Sequence, residues 1–142
     1  MKAITGAADI LRGVGRALAD ADQAVLGELA LGNGRRADLV AIDRAGTIIL
    51  VEVKSCRADF VADRKWQAYL EYCDRFYFAV GNDFPRDLLP PGEGLIVADR
   101  FGGEIVREAP IRALGPARRK AMLIRFGRAA ASRLQGLLDP IP

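Results

Sequence analysis

The sequence predicts an α/β fold, a mixed β-sheet with helices packed against its faces. Three observations carry that expectation. Segments of helical and strand period follow one another in the order αβββαβ, with a hairpin and a last helix added after them. The segment Thr47 to Lys54 is apolar at successive positions through Val51, so a strand formed there is covered on both faces. A length of 142 residues is enough for one buried core without staples. The chain, 1–142, is therefore expected to be a single domain, with its core over about 6–80 and additions over 81–142.

Each element has a local reason. Residues 6–20 place Ile10, Leu11, Val14 and Leu18 at helical spacing, with Gly13 and Gly15 as weak points. Residues 23–31 read as a short strand interrupted by Glu28, and Gly32-Asn33-Gly34 as a turn. Residues 35–43 and 47–54 are two further strands joined by Arg44-Ala45-Gly46. Residues 57–73 read as a helix whose stripe is Ala58, Val61, Ala62, Trp66, Tyr69 and Cys73. Phe76 to Val80 is a buried strand, followed by a loop rich in proline at 85, 90 and 91. Leu95 to Ala98 and Glu104 to Arg107 form a hairpin around Phe101-Gly102-Gly103. Gly115-Pro116 then opens a final helix to about Leu138.

The absence of histidine excludes Ser-His-Asp and Cys-His nucleophilic sites and histidine-bound zinc enzymes. Any metal has to sit on carboxylates, and hard oxygen ligands suit Mg²⁺ or Mn²⁺. Cys56 and Cys73 have no metal-ligand spacing and read as reduced residues. No stretch approaches a membrane span and no signal-peptide pattern opens the chain, so a cytoplasmic protein is expected. Residues 1–108 carry 14 basic and 17 acidic side chains, whereas residues 109–142 carry seven basic and one acidic. That asymmetry points either to an anionic partner for the C-terminal segment or to a solvated basic helix face. On that helix Leu123, Gly127, Ala130, Ala131, Leu134 and Leu138 gather on one side, which is expected to dock on the core. Arg118, Arg125, Arg128 and Arg133 spread over the other half, with Arg119 at the border, as a surface that would contact phosphates.

The chemistry concentrates at the end of the third strand. Glu52 and Lys54 lie on one face of it, side by side. If both hairpin loops are three residues ending in glycine, Asp38 faces Glu52 and Glu28 faces Asp38. Three carboxylates then form a row across three strands, and opposed like charges call for a cation. Asp38, Glu52 and the Val53 carbonyl would be metal ligands, Glu28 a further ligand or a supporting group, and Lys54 would act on the attacking water. The alternative is an ordinary surface in which Glu52 pairs with Lys54 or an arginine. Arg35 and Arg36 precede Asp38 and either contact a phosphate or pair with a carboxylate such as Glu28. Asp59, Asp63 and Gln67 share a helical stripe. They either suit the helix N-terminus or position Arg35, Arg36 or Lys54. Lys65 and Trp66 follow them, and Trp66 reads as core rather than as a platform for a base.

Ala37-Asp38 and Glu52-Val53-Lys54 resemble the paired motifs of the PD-(D/E)XK nuclease superfamily, with the proline missing. More narrowly, the chain resembles the bacterial MmcB-like DNA repair family over nearly its whole length. The matching segments are GRRADLVAI from Gly34, VEVKS from Val51 and ADFVADRKWQAYLEYCDRFYFAV from Ala58. GLIVADRFGGEIVREAP from Gly94 and ARRKAMLIRFGRAAASRL from Ala117 complete them. The Lys65-Trp66 pair belongs to that resemblance. The resemblance implies a restriction-endonuclease-like core and a DNA repair role. The expectation is a Mg²⁺- or Mn²⁺-dependent endonuclease that recognises DNA structure rather than sequence, alone or with other repair proteins. The alternative is a DNA-binding or recruitment module that keeps the fold without turnover.

Overall fold

A computed structural model describes residues 5–142. The elements are α1 (Ala7–Asp20), β1 (Ala24–Ala30), β2 (Arg36–Ile42), β3 (Ile48–Val53), α2 (Arg57–Ala62), β4 (Arg75–Val80), β5 (Gly94–Asp99), β6 (Gly102–Arg107) and α3 (Pro116–Leu138). Short 3-10 turns occupy Trp66–Tyr72 and Arg86–Leu88. The six strands form one sheet in the order β1-β2-β3-β4-β5-β6. Neighbours are antiparallel except β3 with β4 and β4 with β5, so the expected mixed α/β sheet is present.

The sheet is buried from both sides. Ile10, Val14 and Leu18 of α1 cover Leu39, Ile49, Val51, Tyr77 and Ile96 on one face. The other face carries Ile48, Leu50, Phe76 and Phe78 against Tyr69, Tyr72 and Met122. All six residues of β3 are buried, as its doubly apolar pattern requires. Gly13, a weak point for the helix taken alone, is needed in three dimensions. A Cβ there would lie 1.8 Å from the Asp99 carbonyl oxygen, because α1 crosses directly over β5 and β6.

Two expectations fail. Residues 57–73 do not form one helix: α2 ends at Ala62 and the chain re-enters as a 3-10 turn at Trp66. The expected stripe dissolves, with Ala58, Val61 and Ala62 exposed, and Phe60 packs edge-on against Phe78 instead. Asp63, at the break, is extended and its carboxylate is drawn to Lys54. Compensation of a buried ammonium outweighs continuation of the helix. In α3 the core-facing residues are Met122, Phe126 and Ala129, not the side bearing Leu123, Leu134 and Leu138, which stays exposed. The anchor decides that rotation. Arg119 donates to both oxygens of Asp74, at 2.7 and 2.6 Å, and to the Gly46 carbonyl.

Asp74 is 3% exposed and also accepts from the Ile48 and Leu114 amides, both at 2.8 Å. Burial alone would raise its pKa, yet the Arg119 guanidinium and the two amides hold it below the usual carboxylate range. Asp74→Ala leaves a guanidinium and two amides without their acceptor. It is expected to cost about 3–5 kcal/mol, read as a lowered urea midpoint with unchanged slope.

Candidate active site at the end of β3

The β2–β3 ladder runs from Ile42↔Ile48 to Leu39↔Val51, the register expected from a three-residue loop. One step further, Asp38 and Glu52 come opposite each other, and side chains replace the ladder. The Asp38 amide donates to Glu52 Oε1 at 3.3 Å, and the Val53 amide donates to Asp38 Oδ2 at 2.8 Å. The N–H and C=O of one strand residue point the same way. The Val53 carbonyl is therefore directed at the side of Asp38, where strand pairing has ended. The Lys54 amide points the other way, to the Ala79 carbonyl at 2.9 Å.

Asp38, Glu52, Val53 and Lys54 line one pocket of about 420 Å³, closed by Glu28, Asp59 and the Ala7, Ala8 and Leu11 side of α1. Glu52 and Lys54 are 5% and 4% exposed. The Lys54 ammonium lies 2.9 Å from Asp63 Oδ2 and 3.8 Å from Glu52 Oε2. Burial would lower the Lys54 pKa, but the hydrogen bond and charge of Asp63, aided by Glu52, raise it, so the lysine is held charged. Asp63 is lowered in turn, its burial outweighed by Lys54. Glu52 is pushed up to about 8 by burial first and by the neighbouring Asp38 second. Two carboxylates thus share one buried ammonium, and Asp63 has first claim on it.

The remaining expected residues divide by location. Glu28 lines the pocket, but the row of three carboxylates is not formed. The β1–β2 register is the expected one on either side of it, yet Glu28 adopts a left-handed φ of 52°. Its carboxylate sits 3.8 Å from Arg36 at the surface, and Arg133 holds its carbonyl. Among the described residues no group of three or more His, Cys, Asp or Glu side chains is arranged to hold a metal. A kink that parts Glu28 from Asp38 relieves the repulsion that an unbroken ladder would impose. Arg35 packs over the Tyr69 ring at 5.0 Å and reaches Asp63 at 3.8 Å. Asp59 accepts the Ser55 amide at 3.1 Å. Trp66 packs on Phe76 and Phe78, so it is core, and Lys65 and Gln67 are exposed.

The basic residues of α3 are not equivalent. Arg119 is the anchor to Asp74, Arg118 lies over the Tyr72 ring at 4.4 Å, and Arg133 donates to the Gly27 and Glu28 carbonyls. Arg125 and Arg128 form no ion pair among the described residues, and Arg125 lies against Gly32 in the β1–β2 turn. The Asp74–Arg119 pair was not assigned from sequence, because it joins residues that only the fold makes neighbours, whereas contact of Asp63 with Lys54 and Arg35 was one of the two readings of its stripe. The one available signal for Asp63 was its stripe with Asp59.

The family model of the DNA repair protein MmcB-like group matches residues 2–141. The chain belongs to the MmcB-like DNA repair family. The match covers the strands that carry Asp38, Glu52 and Lys54 as well as α3, so the site described above lies within the family domain. Among solved structures the chain is similar to the SPO1766 protein of unknown function from Silicibacter pomeroyi. The two are 46% identical with a TM-score of 0.92, over 94% of this chain and 92% of that one. No curated protein sequence matches it. Among the described residues no helix is long and apolar enough to cross a membrane.

Proposed function

We propose that this member of the MmcB-like family is a Mg²⁺- or Mn²⁺-dependent endonuclease acting on structured or damaged DNA, with a restriction-endonuclease-like core. The observation that carries the reading is the meeting of Asp38, Glu52 and Lys54 in one pocket at the end of a buried strand. The donor set fits a hard divalent cation. Asp38 and Glu52 supply carboxylate oxygens and Val53 a carbonyl directed at the same side. The pocket is also short of positive charge, since Lys54 already answers Asp63 and Glu52 is left raised. A cation held there offsets charge on the phosphate and makes water a better nucleophile.

The chain's own groups supply the rest. Phosphodiester hydrolysis adds a water oxygen to phosphorus, breaks one ester P–O bond and leaves the proton on the departing oxygen. Lys54, fixed by Asp63, presents a permanent positive charge to the attacking water or the developing phosphorane oxygens. Arg35 at the pocket side, with Arg125 and Arg128 of α3, offers charge for the DNA backbone without reading bases. The DNA-repair description of the family supports DNA as the substrate.

Purified protein is expected to nick flap, fork, gapped or single-stranded DNA with Mg²⁺ or Mn²⁺ and not with EDTA. Asp38→Asn should lower that rate at least about 100-fold. No metal-dependent cleavage of any of these substrates would reject the reading. A second reading, a DNA-binding module without turnover, draws on the Lys54–Asp63 pair, which already occupies the lysine. It requires salt-sensitive DNA binding, weakened at Arg125 and Arg128 and indifferent to Asp38→Asn.

A further inference from the structure

Helix α3 leaves an apolar stripe without a partner. Its core contacts run through Met122, Phe126 and Ala129. About a third of a turn around the helix, Leu123, Ile124, Leu134, Leu137 and Leu138 are 37%, 49%, 56%, 80% and 74% exposed. These are all five of the large exposed hydrophobics of the helix.

Four of the five, Leu123, Ile124, Leu137 and Leu138, are spaced symmetrically about the middle of the helix. Take a two-fold axis between Ala130 and Ala131 and lay a second α3 antiparallel on the first. Leu123 then meets Leu138, and Ile124 meets Leu137. Leu134 meets Gly127, and the two alanines face each other at the crossing. Large faces small at the centre and large faces large at the ends. An isologous interface must be self-complementary in this way. The glycine lets the facing leucine in: a Cβ built at Gly127 has nothing within 4 Å in one chain, so the space above it is open.

Charge selects the occupant. Helix α3 carries six basic residues and no acidic one, and five of the six lie at or before Arg128. Arg118 and Arg125 sit on a different side from the stripe, and Arg128 flanks its edge beside Ile124. Arg133, in the second half, is turned inward to the β1 carbonyls. Antiparallel pairing therefore sets the basic half of one helix beside a half whose one charged residue, Arg133, is turned to β1. An acidic peptide or a DNA backbone would engage the arginines and leave the stripe uncovered. The stripe spans about 23 Å and offers on the order of 500 Å² of surface per protomer, the small end of specific interfaces.

We propose that two copies of this chain associate through α3 in this antiparallel register, forming a weak, concentration-dependent dimer. Sedimentation velocity and light scattering on the full chain, from about 5 to 200 µM, test it. The mass is expected to rise toward twice the 15.4 kDa of one chain. Leu134→Glu should hold it at one chain with an unchanged thermal midpoint, since position 134 is already half exposed. Gly127→Leu separates this register from general stickiness. It adds apolar surface but fills the space that Leu134 enters, so dimer affinity should fall about tenfold or more. A single-chain mass at every concentration, or a dimer that Gly127→Leu strengthens or Leu134→Glu leaves intact, would overturn the proposal.

Discussion

Lys54→Ala is expected to lower metal-dependent DNA cleavage by about 1000-fold while DNA affinity stays within about twofold. The ammonium lies inside the pocket, 4% exposed, on the strand that also presents Glu52. Among the described residues no other lysine or arginine lines that pocket. Backbone affinity is expected to come from arginines outside it, so binding and turnover separate. The substitution also strips Asp63 and Glu52 of their nearest cation, which lowers stability. Adding Asp63→Ala removes the orphaned carboxylate. The double variant should recover much of the thermal midpoint and none of the cleavage. Single-turnover nicking beside fluorescence anisotropy at fixed salt reads both quantities. Cleavage within about tenfold of the unsubstituted protein would remove Lys54 from the reaction.

The second large effect is on stability. The Glu52 carboxyl titrates near 8 in the fold against 4.5 for an unburied glutamate. Between those values the folded chain keeps a proton that the unfolded chain has released. Stability therefore falls as pH rises through that window and levels off above it. Glu52→Gln cannot ionise, so its advantage should be absent near pH 4 and greatest above about pH 8. An advantage of about 2–4 kcal/mol is expected there, seen as a midpoint higher by about 5–10 °C. Mn²⁺ at pH 8 should raise the midpoint of the unsubstituted protein and release a proton, because the cation binds the ionised carboxylate. It should leave Glu52→Gln unmoved. A Glu52→Gln protein less stable than the parent at pH 9 would mean that ionised Glu52 is well compensated in the fold.

Most strands were legible because their signals are local. The glycines ending both hairpin loops set the pairings of β1 with β2 and of β2 with β3, and so brought Asp38 to Glu52. Glu28 was not legible. Its register is the expected one, but a left-handed φ, with Arg133 from the far end of the chain on its carbonyl, breaks the row and leaves its carboxylate beside Arg36 at the pocket edge. The helix expected over 57–73 failed for a related reason. Its residues have adequate helical spacing, and the requirement that breaks it sits on β3, in the buried charge of Lys54. The two sides of α3 carry similar apolar content, so periodicity alone did not rank them.

By itself the sequence determined the α/β order, the registers of β1 with β2 and of β2 with β3, and the meeting of Asp38 on β2 with Glu52 and Lys54 at the end of β3. Period, turn residues and alternation act over a few neighbours and need no tertiary partner. Tertiary structure alone decided which charges pair, where α2 stops and which side of α3 meets the core. Those outcomes depend on burial, and a buried charge takes its partner from whatever the fold brings within about 4 Å, at any distance along the chain.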